Sequence, residues 1–170
     1  MSDLGSLHYF LGIHMVKNKS GLFLYQAKYV ANLLVCTGLE FTKPMLSPFV
    51  INEPLAASED SPLIDDPKLY RSLVGALQYL TFTWPDIALA VNQVCQFIHS
   101  PHEVHLKAVK GMLRYIKGIV SYGLQLFKSS TPSLLTYSNA NWAGCHDTHR
   151  STTGFCIFLK KNLISWSAKK

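Results

Sequence analysis

No apolar stretch in the 170 residues approaches the roughly 20 needed to cross a bilayer, because Lys, Arg, His and Pro interrupt every run. No membrane partner is therefore expected. Met1-Ser2-Asp3-Leu4-Gly5 has neither a basic start nor an apolar run, so no signal peptide is read there. Cysteine is scarce: Cys36, Cys95, Cys145 and Cys156 are widely spread, which predicts reduced thiols and an intracellular setting. Phosphate-cradling loops are missing too, since neither Gly-x-Gly-x-x-Gly nor a Gly-Lys-Ser/Thr P-loop occurs. A nucleophilic triad has no strand-turn-helix motif to present it, and no internal repeat is seen. Acid is in deficit, with 10 Asp and Glu against 16 Lys and Arg, a formal charge of +6. With pI near 9.2, the surface suits a polyanion, although moderate basicity also serves proteins without one.

What is present is enough apolar matter for a core: 48% hydrophobic residues and a mean hydropathy of +0.14. From Leu7 to Tyr25 apolar residues alternate around Lys17-Asn18-Lys19-Ser20-Gly21, which predicts a β-hairpin. Gln26 to Gly38 carries Val30, Leu33 and Leu34 at helical spacing and stops at a glycine suited to the turn after a helix. Thr42 to Asp66 holds Pro44, Pro48, Pro54, Pro62 and five acidic residues, which predicts an extended connector and a domain boundary. Beyond it, Tyr70–Leu80, Asp86–His99 and Val104–Lys117 read as three packed helices. Asp86 is placed to serve the open amides of the second, and Pro101 and Glu103 suit the first turn of the third. Tyr122–Phe127, Leu134–Asn139, Phe155–Leu159 and Leu163–Trp166 read as strands of a small C-terminal sheet, the last two joined by Lys160-Lys161-Asn162. The fold class is α+β.

Lys107, Lys110, Arg114 and Lys117 fall at i, i+3, i+7 and i+10, with Val109, Met112, Leu113 and Ile116 opposite. This basic stripe either tracks phosphates without reading bases or is an ordinary solvated face. His99, His102 and His105, and separately Cys145, His146, Asp147 and His149, crowd together without the paired spacing of a zinc site, so no metal is expected. Trp142 and Trp166 are expected to pack, as is Trp84, which of the three has the best chance of exposure.

Tyr9-Phe10-Leu11-Gly12-Ile13, Tyr70-Arg71-Ser72-Leu73-Val74-Gly75-Ala76-Leu77-Gln78-Tyr79-Leu80, Pro85-Asp86-Ile87-Ala88, Leu113-Arg114-Tyr115-Ile116-Lys117-Gly118 and Tyr137-Ser138-Asn139-Ala140-Asn141-Trp142-Ala143-Gly144 stand in an order that carries a resemblance. The chain resembles the Pol polyprotein of copia-type LTR retrotransposons, from the end of the reverse transcriptase into ribonuclease H. Arg150-Ser151-Thr152-Thr153-Gly154 continues the match.

The resemblance implies a primer-grip-like hairpin and thumb entry in residues 1–50, with Phe10, Leu11 and Gly12 at the grip, and a linker over 51–69. It further implies a helical thumb and connection region over 70–128, then a truncated ribonuclease H-like sheet over 129–170. The family reads Tyr-Ser-Asp-Ala-Asp-Trp-Ala-Gly, so Asn139 stands where a magnesium-binding aspartate belongs and Asn141 where the motif has its second. A neutral amide is a poor ligand for hard Mg²⁺. The family commonly carries arginine at the position of Trp84 and a basic residue at that of Gly111, which should weaken its helix by about 1 kcal/mol relative to Ala. The match also implies that the polymerase palm lies before this segment and further ribonuclease H carboxylates after it. The expectation is therefore a catalytically incomplete fragment without a cofactor, binding RNA, DNA or their hybrid at most weakly through Lys107, Lys110, Arg114 and Lys117. The alternative is a co-opted interaction or effector-like protein whose partner covers the open sheet edge.

Overall fold

The computed structural model describes residues 8–48, 55, 61–128, 133–143 and 150–170. The chain begins with three antiparallel strands, β1 (Tyr9–Phe10), β2 (Ile13–Asn18) and β3 (Gly21–Tyr25). The single hairpin expected over Leu7–Tyr25 is thus two, and Leu7 lies outside the described residues. Leu11 and Gly12 form the extra turn at φ +47° and +79°, the sign a tight primed hairpin needs at both central positions. In the next turn, Asn18 Oδ1 accepts from the amides of Ser20 and Gly21 at 3.0 and 2.8 Å, the local bonding that makes asparagine a turn former.

Helix α1 (Ala27–Cys36) ends as its sequence suggests, with Gly38 left-handed at φ +65° and the Leu39 amide reaching back to the Leu34 carbonyl. Helix α2 (Pro67–Leu80) starts three residues before the expected Tyr70: Asp66 accepts from the amides of Lys68 and Leu69, and Pro67 occupies the first helical position. A 3-10 turn at Pro85–Ile87 leads into α3 (Ala88–Cys95), four residues short of His99. Asp86 does not cap it; its carboxylate accepts from Tyr115 Oη at 2.7 Å, because the 3-10 turn carries the side chain toward the next helix. Helix α4 (Glu103–Gly118) starts with the His102 amide donating to Nδ1 of His105 at 2.9 Å.

Val30 and Leu34 of α1 share one core with Tyr70, Val74 and Leu77 of α2, Val94 of α3 and Val109, Leu113 and Ile116 of α4. Trp84 belongs to it at 2% exposure, packed as expected and not the exposed one of the three tryptophans. Its indole donates to the Tyr122 carbonyl at 3.0 Å, giving the ring's one polar atom a partner inside. Thr83 and Gln26 are fully buried and share a 2.7 Å hydrogen bond.

The described parts of the connector lie along α4. Thr42–Met45 meets its C-terminal half, where the Met45 amide donates to the Arg114 carbonyl. At the other end, Leu63 bridges His102, and the Glu103 amide donates to the Pro62 carbonyl.

Strand β4 (Leu124–Phe127) leaves the expected C-terminal group and pairs with β3, giving the sheet order β1-β2-β3-β4. Gly21 permits this, because a Cβ there would sit 2.0 Å from the Leu126 carbonyl oxygen. The second sheet holds β5 (Leu134–Asn141), β6 (Thr152–Leu159) and β7 (Asn162–Lys169) in that order. Asn162 joins the sheets: its Oδ1 accepts from the Phe127 amide at 2.6 Å and its Nδ2 donates to the Phe127 carbonyl at 3.0 Å. Trp166 Nε1 donates to the Thr81 carbonyl and seats β7 on the helices. Trp142, expected to pack, is 87% exposed, because it directly follows the outer strand β5, itself open to solvent along its length. Among the described residues no helix is long and apolar enough to cross a membrane.

Replacing Asn162 by Ala removes two hydrogen bonds and leaves the Phe127 amide and carbonyl without them. A loss of about 1–3 kcal/mol in urea unfolding is expected, and an unchanged midpoint would show that the two sheets do not depend on this amide.

Candidate nucleic-acid interface

The α4 surface divides the predicted stripe in two. Its apolar side buries Val109, Met112, Leu113 and Ile116, which fixes the opposite side toward solvent. Lys107 and Lys110 are exposed there, one turn apart. Arg114 and Lys117 are half-buried and turned toward the connector: Arg114 Nε donates to the Lys43 carbonyl at 2.8 Å and Lys117 Nζ to the Thr42 carbonyl. Two cations thus tie down backbone, and two stand on the open turn of the helix.

Tyr115 lies between these groups, and burial, with its hydrogen bond to Asp86 second, pushes its phenol up to about 12. It stays neutral at ordinary pH and joins α4 to the 3-10 turn. Gly111 faces the connector, where a Cβ would stand 3.6 Å from Met45 Sδ, an ordinary contact distance.

The grip-like residues form a separate projection. Phe10 and Leu11 are 60% and 70% exposed at the β1-β2 turn. Gly12 rests on α2, since a Cβ there would lie 2.9 Å from Tyr79 Oη, so this turn cannot move inward. These residues and the α4 stripe come from different elements, and no contact between them is seen among the described residues.

Asn139 and Asn141 sit on β5, opposite Gly154 and Thr152 of β6, and strand alternation places both on one face with Tyr137. Both are exposed, and Asn139 faces a residue with no side chain to share a ligand. Among the described residues no group of three or more His, Cys, Asp or Glu could hold a metal ion. Cys145, His146, Asp147 and His149 lie outside the described residues. His105 is buried and stacked on Phe97 at 3.8 Å, with Nδ1 already taken by the His102 amide. Sequence reading missed this capping histidine; its signal is the three-residue spacing from His102, that of a capping box.

No family model and no solved structure matches the chain. Among curated proteins it is 48% identical over its whole length to an uncharacterized mitochondrial protein of Arabidopsis thaliana, of which it covers 70%. It is 44% identical, again over its whole length, to a retrovirus-related Pol polyprotein from transposon RE1 of the same plant, and spans only 12% of that protein. A secreted RxLR effector protein of Plasmopara viticola is 41% identical over 102 residues, which are 59% of this chain and 72% of that one.

Gly111→Ala fits the space beside Met45 and removes the backbone-entropy cost of a mid-helix glycine. Thermal unfolding should show a gain of about 0.5–1 kcal/mol; a loss would mean that the helix and connector are closer than the structure places them.

Proposed function

Because the chain belongs to the family of retrovirus-related Pol polyproteins from copia-type transposons, we propose that it is a retroelement-derived module that holds nucleic acid weakly, by its backbone and without reading bases. The observation that carries this reading is the exposed pair Lys107 and Lys110 on a helix anchored through its opposite side. Two ammonium groups on one fixed face displace counterions from phosphates and carry no sequence information. Arg114 and Lys117 contribute positive potential from behind, while their hydrogen bonds hold the connector. On this reading residues 1–50 are a grip-like hairpin with thumb entry, 51–69 a linker, 70–128 the thumb and connection region and 129–170 ribonuclease H-like strands. RNA, DNA and their hybrid are bound alike.

At Asn139 the same reading assigns no phosphodiester chemistry. The aspartate of the resembled motif would hold Mg²⁺; an exposed amide opposite a glycine has no anionic oxygen to offer. The second reading is a protein-binding role, favoured by the likeness to the Plasmopara effector and by the exposed, uncharged strand β5 with Leu134, Leu135 and Tyr137. It calls for a protein partner on that edge and leaves binding indifferent to α4.

Reversing both charges, Lys107→Glu with Lys110→Glu, should weaken binding of a short hybrid or DNA duplex at low salt by about tenfold and lower the salt slope by about 2. Absence of binding by the unaltered chain at low salt, or binding indifferent to salt, would overturn the proposal. Mg²⁺-dependent hybrid cleavage should be absent both before and after Asn139→Asp. Cleavage by the Asp form would reveal carboxylates supplied from elsewhere.

A further inference from the structure

The first turn of α4 carries a buried titratable group that the nucleic-acid reading does not use. His105 is fully buried, accepts the His102 amide on Nδ1 at 2.9 Å and lies flat against Phe97, with ring centroids 3.8 Å apart and an interplanar angle of 13°. Because Nδ1 accepts, the neutral ring carries its hydrogen on Nε2, and an incoming proton has only Nδ1 to occupy. Protonation there sets one donor against another and ends the cap bond. The new charge would also stand at the positive end of the helix dipole, which repels a cation. The Phe97 face attracts a cation, but in so nearly parallel a stack the Nδ1–H lies along that face and cannot point into it.

The connector is pinned around the same cap. The Ile64 amide donates to the Pro101 carbonyl at 3.2 Å, the Glu103 amide to the Pro62 carbonyl at 3.0 Å and the Val104 amide to Ser61 Oγ at 3.3 Å, while Leu63 bridges His102. Residues 61–64 thus form a strap whose partners stand directly on either side of His102, and Ile64 holds its place in the core through it. On α4 itself the charged or titratable neighbours are Glu103 and Lys107, both exposed, and His102, which meets His105 edge-on at 5.5 Å. Asp65 and Asp66 at the end of the strap are exposed as well, and water screens their pull on a buried ring. From α2 comes the cation Arg71, whose Nε donates to the Ile98 carbonyl, and from the turn after α3 the exposed His99. Glu59 and Asp60 precede the strap outside the described residues.

We propose that His105 makes the α4 cap an acid-sensitive latch on the connector: neutral, it holds residues 61–64 against the helix, and a proton on Nδ1 releases them. The sign follows from linkage. An unfolded histidine takes up its proton near about pH 6.5, and the latched ring cannot take it up without losing the cap bond. The latch is therefore intact above that pH and weakens as pH falls below it. It does not depend on whether Lys107 and Lys110 hold nucleic acid.

The test follows hydrogen exchange of the Ile64 and Glu103 amides by NMR on the full chain from about pH 8 to about pH 5, corrected for the intrinsic rate. Protection should fall by up to about tenfold per pH unit below about 6.5. The Leu113 amide, mid-helix, should hold. In His105→Gln the protection should be independent of pH, because glutamine at this position reaches the cap amide and does not titrate. His102→Asn keeps a capping side chain, removes the neighbouring ring and should leave the pH response in place. The His105 ring, read by carbon-13 NMR in the unaltered chain, should titrate together with the two amides. Equal loss at Leu113, protection that rises as pH falls, the same response in His105→Gln, its disappearance in His102→Asn, or a ring that titrates while the amides stay protected would each overturn the latch.

Discussion

The rest of the structure depends on the buried side of α4. Val109, Met112, Leu113 and Ile116 meet side chains from all three other helices, so this one helix supplies the surface against which α1, α2 and α3 find their places. Its polar side then follows without further specification, because a helix whose apolar stripe is fixed has only one way to face its lysines. The connector is held by the same helix at both ends, through Arg114 and Lys117 at one and His102 and Glu103 at the other. Packing and polar bonding therefore agree on a single orientation of α4, the kind of agreement between levels that gives a unique fold.

Polar ties between distant elements here use side chains in place of backbone. Asn162 presents an amide to Phe127 as a neighbouring strand would, Trp166 reaches the Thr81 carbonyl, and Trp84 reaches Tyr122. Each satisfies a main-chain group that regular secondary structure leaves open. The second sheet is thus attached by a few directed bonds and one packed strand, while β5, at its far side, contributes little to the attachment. An asparagine at position 139 or 141 costs such a strand nothing structurally, since both side chains point into solvent.

Periodicity made α1, α2 and α4 legible, and the Gly38 stop and the Lys107–Lys117 stripe with them. The start of α2 was also written in the sequence, in Asp66-Pro67, but a reading by apolar spacing alone begins at Tyr70. Three features could not be read locally. The pairing of Leu124–Phe127 with β3 is a choice of partner across the chain, which strand propensity does not encode. The turning of Arg114 and Lys117 toward the connector depends on that connector folding back, and so a uniform stripe in sequence became two unequal halves in space. Trp84 looked like an outlier before a proline, yet its indole has a carbonyl waiting on a segment nearly forty residues later. At the site, Asn139 was legible as the end of a strand, whereas Asn141 lies two residues beyond the expected bound on the same strand, and the exposure of both depends on β5 being outermost.

The closure of the N-terminal sheet by β4 sets an order of events. Gln125 donates to the Leu22 carbonyl from 103 positions away, and among the described residues no strand nearer in sequence pairs with that edge of β3. Loop closure over that distance is costly until the intervening helices have condensed and brought Gly123 beside Tyr25. During synthesis, β1, β2 and β3 therefore wait with one edge open while the helical core emerges, and strands made before the helices are completed only after them.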